Sequence, residues 1–504
     1  MSNLHDTPPC ISGRMPFCGP TWLVNAQAFA YLAIAADDHE LTAAFKRLWC
    51  RASEKEQAYV LLRQSAGLSW YSPAGLLPIV KQTLGRTVPA ERPPQGNWSM
   101  PYGALSVQRR GDWMALVKGY GRYVWDVEKH HDQNIYGLFS NYGSISVYGS
   151  GTPVTAKASG FVANGWDWRL WPGTTAPFLP YEEFEKHEHV RYFSASSMAG
   201  GVSDGRNGVH GLHLLADKYG FKLDAKKTVF MNDDVLVCLG SDIQCTGTDV
   251  PVKTCLFQTA LAKPSVVTLI NEKEISALPN EFKTKEALTL TDAVGNRYTI
   301  PAGQELHVRR SQQESRHERR KKPTKGYFAA AWLTHGANPK KASYQFTIQV
   351  QPKAPAAPKY AVLQQNAAAH VVHFPGSYAG YCIFDPGQPL PAADILRVDK
   401  PCLIMIEEAK AKLKLTVANP DLNFALDKLP NGLNQVRSHN RYAPSRPSPV
   451  RVTLKGKWRL DGADAKTVDG EAGQTTIEFA CIHGKSITIS LEPSDKVRAT
   501  GGRP

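Results

Sequence analysis

Hydrophobic positions follow two different periods along this chain, and the change from one to the other divides it. Between Thr21 and Gln64 apolar residues recur every three or four positions in TWLVNAQAFAYLAIA, DDHELTAAFKRLWCRA and KEQAYVLLRQ, where Ala, Leu and Glu dominate. That spacing predicts two or three helices, whose apolar faces must pack on one another, on the β region beyond them, or on another chain. PAERPPQG, beginning at Pro89, reads as a linker. From Gly96 onward short alternating or β-branched runs take over: ALSVQRR, WMALVKGY, SISVYGS, TVFMN, VLVCLG, KTCLFQTAL, SVVTLI, ALTLT and SYQFTIQV. Gly, Asn, Asp and Pro separate them and no helical pattern intervenes, so they predict antiparallel sheets packed face to face. QPKAPAAPKY then precedes a last set, YAVLQQ, CLIMIEE, KLKLTVA, RVTLKGKWRL, TTIEFA and SITISLE, which suits a smaller sandwich. The expected organisation is a helical segment at 1–90, a large β-sandwich at 91–352 and a small one at 353–504, with the tail from Lys496 expected to be disordered.

Composition narrows the partners. A formal net charge of +14 over 504 residues points to a polyanion, and nucleic acid, acidic lipid and acidic polysaccharide all qualify. No run of about 20 apolar residues could cross a membrane as a helix. The first residues, MSNLHDTPPCISGRMPF, lack the basic start and apolar run of a signal peptide, so either the protein is not exported or Met1 is not its natural start. Nine cysteines are scattered without a CxxC pair, which argues against a zinc ribbon and for buried thiols on strands.

Two stretches concentrate chemistry. NGWDWRLWPGTTA (Asn164–Ala176) holds Trp166, Trp168 and Trp171, with Arg169 and a Pro-Gly turn. Indole faces stack on sugar rings and guanidinium forks pair with carboxylate or sulfate, so Trp166, Trp168 and Arg169 are candidate substrate-binding residues. The competing reading makes Trp166 and Trp168 core anchors. HVRRSQQESRHERRKKPTKG (His307–Gly326) is either a cradle for sulfate or phosphate or a solvated hairpin loop. His210 and His213, in GVHGLH, lack a third ligand at metal-binding spacing.

Several segments, in order, resemble the polysaccharide lyases of the chondroitin/hyaluronate lyase group, family 8, and within it the chondroitin sulfate ABC type. They are NGWDWRLWPGTT, NDDVLVCLGSDI (Asn232–Ile243), TCLFQTAL (Thr254–Leu261), GYFAAAWLTHGANPKKASYQF (Gly326–Phe346) and KPCLIMIEEAKAKLKLTVANPDLN (Lys400–Asn423). The resemblance implies the end of an incomplete α/α toroid, a central antiparallel super-sandwich and a C-terminal β-sandwich. It also implies β-elimination of a hexosamine–uronate linkage in chondroitin or dermatan sulfate, with hyaluronan a further substrate. No cofactor is required, though a structural calcium is compatible; no nucleic acid or membrane partner is implied, and the family works in extracellular or periplasmic settings.

That elimination needs the uronate carboxylate neutralised, a base for the carbon 5 proton and an acid for the leaving oxygen. Arg14, in CISGRMPF, matches the family's catalytic GRxPF arginine, and Glu128, in YVWDVE, matches the glutamate of its W-x-x-E pattern. Their pairing would orient the proton-transferring tyrosine. The family's H-x-x-x-x-x-x-Y segment and carboxylate-binding Asn lie upstream of GRxPF and find no counterpart here, so the chain is expected to be incomplete as a catalyst, or a silent glycosaminoglycan-binding protein. His130 and His131 fall outside the matched motif and read as polar turn residues.

Overall fold

The computed structural model describes residues 22–55, 57–58, 73–130, 133–150, 156–187, 189–190, 192–354, 356–390, 395–409, 412–424, 427–428, 434–435, 445–461, 465–468 and 473–494. Three helices open it: α1 (Trp22–Ala35), α2 (His39–Arg51) and α3 (Pro73–Gly85). Asp38 caps α2 by accepting from the Leu41 N–H at 2.9 Å. Ala30, Phe45, Trp49 and Val80 close a small core among the three. α1 is apolar on nearly every side and leaves Phe29, Tyr31 and Leu32 exposed. α3 lies beyond the helical pattern of the sequence, which ends at Gln64, and carries Pro78 in its interior. Most of the third expected helix, Lys55–Gln64, lies outside the described residues.

The rest is β-structure, as the alternating runs predict. A nine-stranded antiparallel sheet includes, as consecutive neighbours, the strands Ala342–Gln349, Val235–Thr246, Phe221–Asn232 and Gly208–Lys218. Facing it is a five-stranded sheet of Asn280–Thr284, Leu306–Arg316, Pro323–Ala337, Pro251–Ala260 and Thr175–Pro177. Alternation in each strand sends one set of side chains inward. Leu214, Leu223, Val229 and Cys238 of the first sheet thus share a core with Leu256, Val308, Phe328 and Leu333 of the second. A four-stranded sheet, from Gly96–Met100 to Ser144–Tyr148, joins that core through Ala115, Val117 and Ile145.

A second sandwich pairs a seven-stranded sheet, which includes Ala369–Phe374, Tyr378–Ile383 and Cys402–Ala409, with a four-stranded one around Val450–Lys455 and Gln474–Phe479. Ile404, Leu415, Val452 and Ile477 fill it. The two sandwiches meet across a third apolar cluster, where Phe230, Val237 and Leu239 of the nine-stranded sheet pack on Val372, Phe374 and Met405. The approach is close enough to require glycine: a Cβ on Gly211 would sit 2.5 Å from Cys382 Sγ. His370 crosses the same seam, its two ring nitrogens 2.8 Å from Thr228 Oγ1 and 2.8 Å from Ser241 Oγ. Both hydroxyls can serve a neutral imidazole, and burial pushes His370 down to about 3.

Candidate functional site

Three of the stretches singled out by sequence converge at one end of the central sandwich. The first is the segment carrying Glu128. Its anchor is Asp126, buried two residues upstream, which accepts from the Val127 N–H at 2.6 Å, the Tyr192 N–H at 3.0 Å and the Tyr219 hydroxyl at 2.9 Å. Burial lifts the Asp126 carboxyl to about 7 against the pull of these donors. Glu128 itself is half-buried, and its carbonyl accepts from Asn134 Nδ2 at 3.2 Å. Lys129 turns inward to the Phe184 carbonyl at 2.6 Å, and the backbone of His130 pairs with His189. Arg14, the expected partner of Glu128, and His131 lie outside the described residues.

The second stretch is the tryptophan loop, and here an expectation is corrected. Trp166 and Trp168 are 2% and 0% exposed, so neither offers a face to a sugar. Trp166 packs edge-on against Phe161 at 4.9 Å, Trp171 at 5.8 Å and Phe328 at 6.1 Å. The Trp168 indole N–H donates to the Arg316 carbonyl at 2.8 Å, which allows so large a side chain to be buried whole. The loop reaches this depth because two backbones touch. A Cβ on Gly165, whose φ is +86°, would lie 2.3 Å from the Gly326 nitrogen.

Alternation along the same loop turns Asp167 and Arg169 the other way, onto the outer face of the five-stranded sheet. Arg169 holds the Asp167 carboxylate bidentately, Nε at 2.7 Å and Nη2 at 2.9 Å, and the Tyr181 hydroxyl adds a third bond at 3.2 Å. Burial alone would raise Asp167, but the charges and hydrogen bonds of Arg169, with help from Arg309, outweigh it and hold the carboxyl below its ordinary value. The Arg169 guanidinium stacks over Phe178 at 4.0 Å and Tyr181 at 4.5 Å. Lys253, Arg309 and Trp332 extend this surface. Lys253 Nζ lies 3.4 Å from the Phe178 ring centre and 4.7 Å from that of Trp332, and the Arg309 guanidinium lies 5.1 Å from the latter.

The third stretch, the basic segment His307–Gly326, is a hairpin, paired from Leu306 with Leu333 to Arg316 with Pro323. Its tip, Arg319 to Lys322, is exposed. Arg310, wholly buried, spends its guanidinium on the Val266 carbonyl at 2.7 Å and on neighbouring loop groups. The tip meets the Glu128 segment where the Ile135 N–H donates to the Glu318 carbonyl at 3.2 Å, and Lys321 lies 3.5 Å from Glu185. His210 is buried beside Ser106 and pushed down to about 3 by burial and by Lys118 and Lys227. His213 pairs with Asp224 at 2.9 Å. Among the described residues no group of three or more His, Cys, Asp or Glu side chains is placed to hold a metal ion, and no helix is long and apolar enough to cross a membrane. The seven described cysteines are all free thiols.

Comparison with known proteins agrees with this architecture. The family model described as polysaccharide lyase family 8, super-sandwich domain, matches residues 97–361, and that described as polysaccharide lyase family 8, C-terminal beta-sandwich domain, matches 361–423. A chondroitin sulfate ABC exolyase of Bacteroides thetaiotaomicron is 32% identical over 97% of this chain and 50% of its own length. Thus the chain spans about half the length of that curated relative. Among solved structures, a Paenibacillus xanthan lyase superposes with a TM-score of 0.71 at 16% identity, covering 94% of this chain and 44% of that one. A Streptomyces coelicolor chondroitin AC lyase, solved in complex with chondroitin sulphate, gives 0.63 at 17% identity over 90% and 59%. At such identities the superpositions speak for the fold alone.

Proposed function

The chain belongs to polysaccharide lyase family 8, and from that footing we propose that it serves a glycosaminoglycan lyase of the chondroitin sulfate ABC type. The observation that carries the reading is the 32% identity to a chondroitin sulfate ABC exolyase, sustained over 97% of this chain. The reaction proposed is β-elimination across carbons 4 and 5 of a uronate, leaving an unsaturated ring at the new non-reducing end. Chondroitin or dermatan sulfate is the intended substrate, no cofactor takes part, and the setting is extracellular or periplasmic.

In this reading Glu128 and Arg14 stand beside the reacting uronate. Asp126 and Asn134 fix the backbone on either side of Glu128, which limits where its carboxylate can reach. Arg14 would place positive charge near the leaving oxygen. The net charge of +14 favours encounter with a polyanion whichever group does the chemistry.

The test is ultraviolet absorbance of the purified chain mixed with chondroitin sulfate, dermatan sulfate and hyaluronan in turn, read for the unsaturated uronate. A rise that Glu128→Gln and Arg14→Ala each abolish supports the proposal. A rise that survives both removes these two residues from it. Binding with no rise fits a lyase chain that is incomplete as a catalyst and equally the second reading, a glycosaminoglycan-binding protein, which the outward-facing cations beside Asp167 also suit.

A further inference from the structure

We propose that Lys253, Arg309 and Trp332, with Arg169 beside them, form an oxyanion subsite on the outer face of the five-stranded sheet, taking a sulfate ester or carboxylate of an acidic polysaccharide. The proposal rests on the polysaccharide reading for its ligand, but its geometry stands on its own.

Strand register assembles the site. Trp332 lies opposite His307 on one side and Cys255 on the other, so Arg309 and Lys253, each two positions along, flank it on the same outward face. Among the described residues three donors in this small area lack acceptors. Trp332 is 3% exposed, yet its Nε1 has no hydrogen-bond partner, and neither has the buried Nε of Arg309. Among the described residues Lys253 has no carboxylate and no hydrogen-bond acceptor; its ammonium is held between the Phe178 and Trp332 rings. Ring faces replace only part of the hydration an ammonium loses.

Charge is equally unbalanced. Arg169, Lys253 and Arg309 surround one carboxylate, Asp167, which Arg169 already holds at 2.7 Å while Arg309 stays 3.9 Å away. Glu305, the next acid, lies 3.1 Å from His307. Burial pushes Lys253 down to about 8, and the neighbouring arginines add to the depression while Asp167 opposes it. A lysine so placed gains from any anion that supplies both charge and lone pairs. The rings beside it, Phe178 and Trp332, give the anion a low-dielectric wall.

The experiment follows the Lys253 side chain directly. In protein carrying 13C at lysine Cε, the resonance missing from Lys253→Gln is titrated with pH, alone, with sodium sulfate, and with chondroitin sulfate or hyaluronan oligosaccharides. The proposal expects each bound anion to move that titration to higher pH. It also expects Lys253→Gln and Arg309→Gln to weaken oligosaccharide binding by at least about tenfold in calorimetry, each being a charge-assisted bond lost, and Lys253→Arg to restore most of it. Trp332→Phe keeps the ring and removes the N–H, and should weaken binding less. Melting curves of each variant separate lost binding from lost folding. A response to chondroitin sulfate alone makes the ligand group a sulfate ester, and an equal response to hyaluronan makes it a carboxylate. Oligosaccharide binding that neither moves Lys253 nor suffers in the folded variants overturns the subsite while leaving the polysaccharide reading standing. A Lys253 that responds to sulfate in a chain that binds no oligosaccharide keeps an anion site and overturns the polysaccharide.

Discussion

Replacing Asp167 by Asn tests whether the ion pair under the tryptophan loop holds that loop in place. The carboxylate is almost wholly enclosed, 3% exposed against 20% for Arg169, and accepts two guanidinium bonds, the Arg169 backbone N–H at 3.2 Å and the Tyr181 hydroxyl. Breaking a fully buried pair costs about 3–5 kcal/mol because a charge is left uncompensated. Water reaching one fifth of Arg169 lowers the expectation to about 2–4 kcal/mol. For a sandwich of this size that is a fall of about 5–15 °C in melting temperature. The sign with pH follows from a depressed carboxyl: the contribution is whole above the unfolded value, near 3.9, and is lost as acid carries the protein down through the folded one. Calorimetry of wild type and Asp167→Asn should therefore show a gap that is constant from neutral pH to about 5 and closes below 4. Equal melting at pH 7, or a gap that persists undiminished in acid, would refute the reasoning.

Three further outcomes can be measured on the same material. Trp168→Ala should cost about 3–5 kcal/mol, and Trp168→Phe clearly less since it gives up mainly the bond to the Arg316 carbonyl; denaturant unfolding showing no loss in the first would return the indole to the surface. His210 and His370 are buried neutral, so between pH 6.5 and about 3 the unfolded chain takes up a proton at each that the native one refuses, about 1.4 kcal/mol per pH unit per histidine. Asp126, lifted to about 7, and Asp292, lifted to about 6, oppose this by binding protons in the native chain. The slope of stability against pH should therefore differ between wild type and His370→Gln by about 1.4 kcal/mol per pH unit. Gly211→Ala should cost about 1–3 kcal/mol by forcing the sandwich seam apart, and Cys382→Ala in the same chain should recover part of it; thermal melting of the two variants decides.

How much could be read in advance depends on the range of each interaction. Helix-then-strand order is a local signal, and the alternating runs around Cys238 and Leu256 lie on strands. α3 was hidden because Pro78 weighs against helix locally while Thr83, its hydroxyl bonded to the Ile79 carbonyl at 2.7 Å, and Val80, packed in the helical core, hold it. In the tryptophan loop the alternation was visible but not its sense. Which of Trp168 and Arg169 faces outward depends on the backbone contact of Gly165 with Gly326, 161 positions away in sequence. Lys253, Arg309 and Trp332 carried no local signal, because each is an ordinary outward residue of its own strand and only the pairing of three strands sets them side by side.

The buried indoles and the outward cations are parts of one device. Lys227, buried and pushed down to about 7 by that burial, donates to the Tyr142 and Gly173 carbonyls, 2.7 Å each. Those two carbonyls end the Glu128 segment and the tryptophan loop. Trp168 ties the loop onward to Arg316 of the basic hairpin, and Tyr136 stacks over Trp168 at 6.5 Å. Under the proposed function, a carboxylate beside the reacting sugar and a cation holding the polymer act together only if the distance between them stays constant. Aromatic packing supplies that constancy, since a close-packed interior transmits displacement and does not absorb it. Buried, the tryptophans fix Arg169 and the segment carrying Glu128 relative to one another; with their faces exposed, both would be set on a loop free to move.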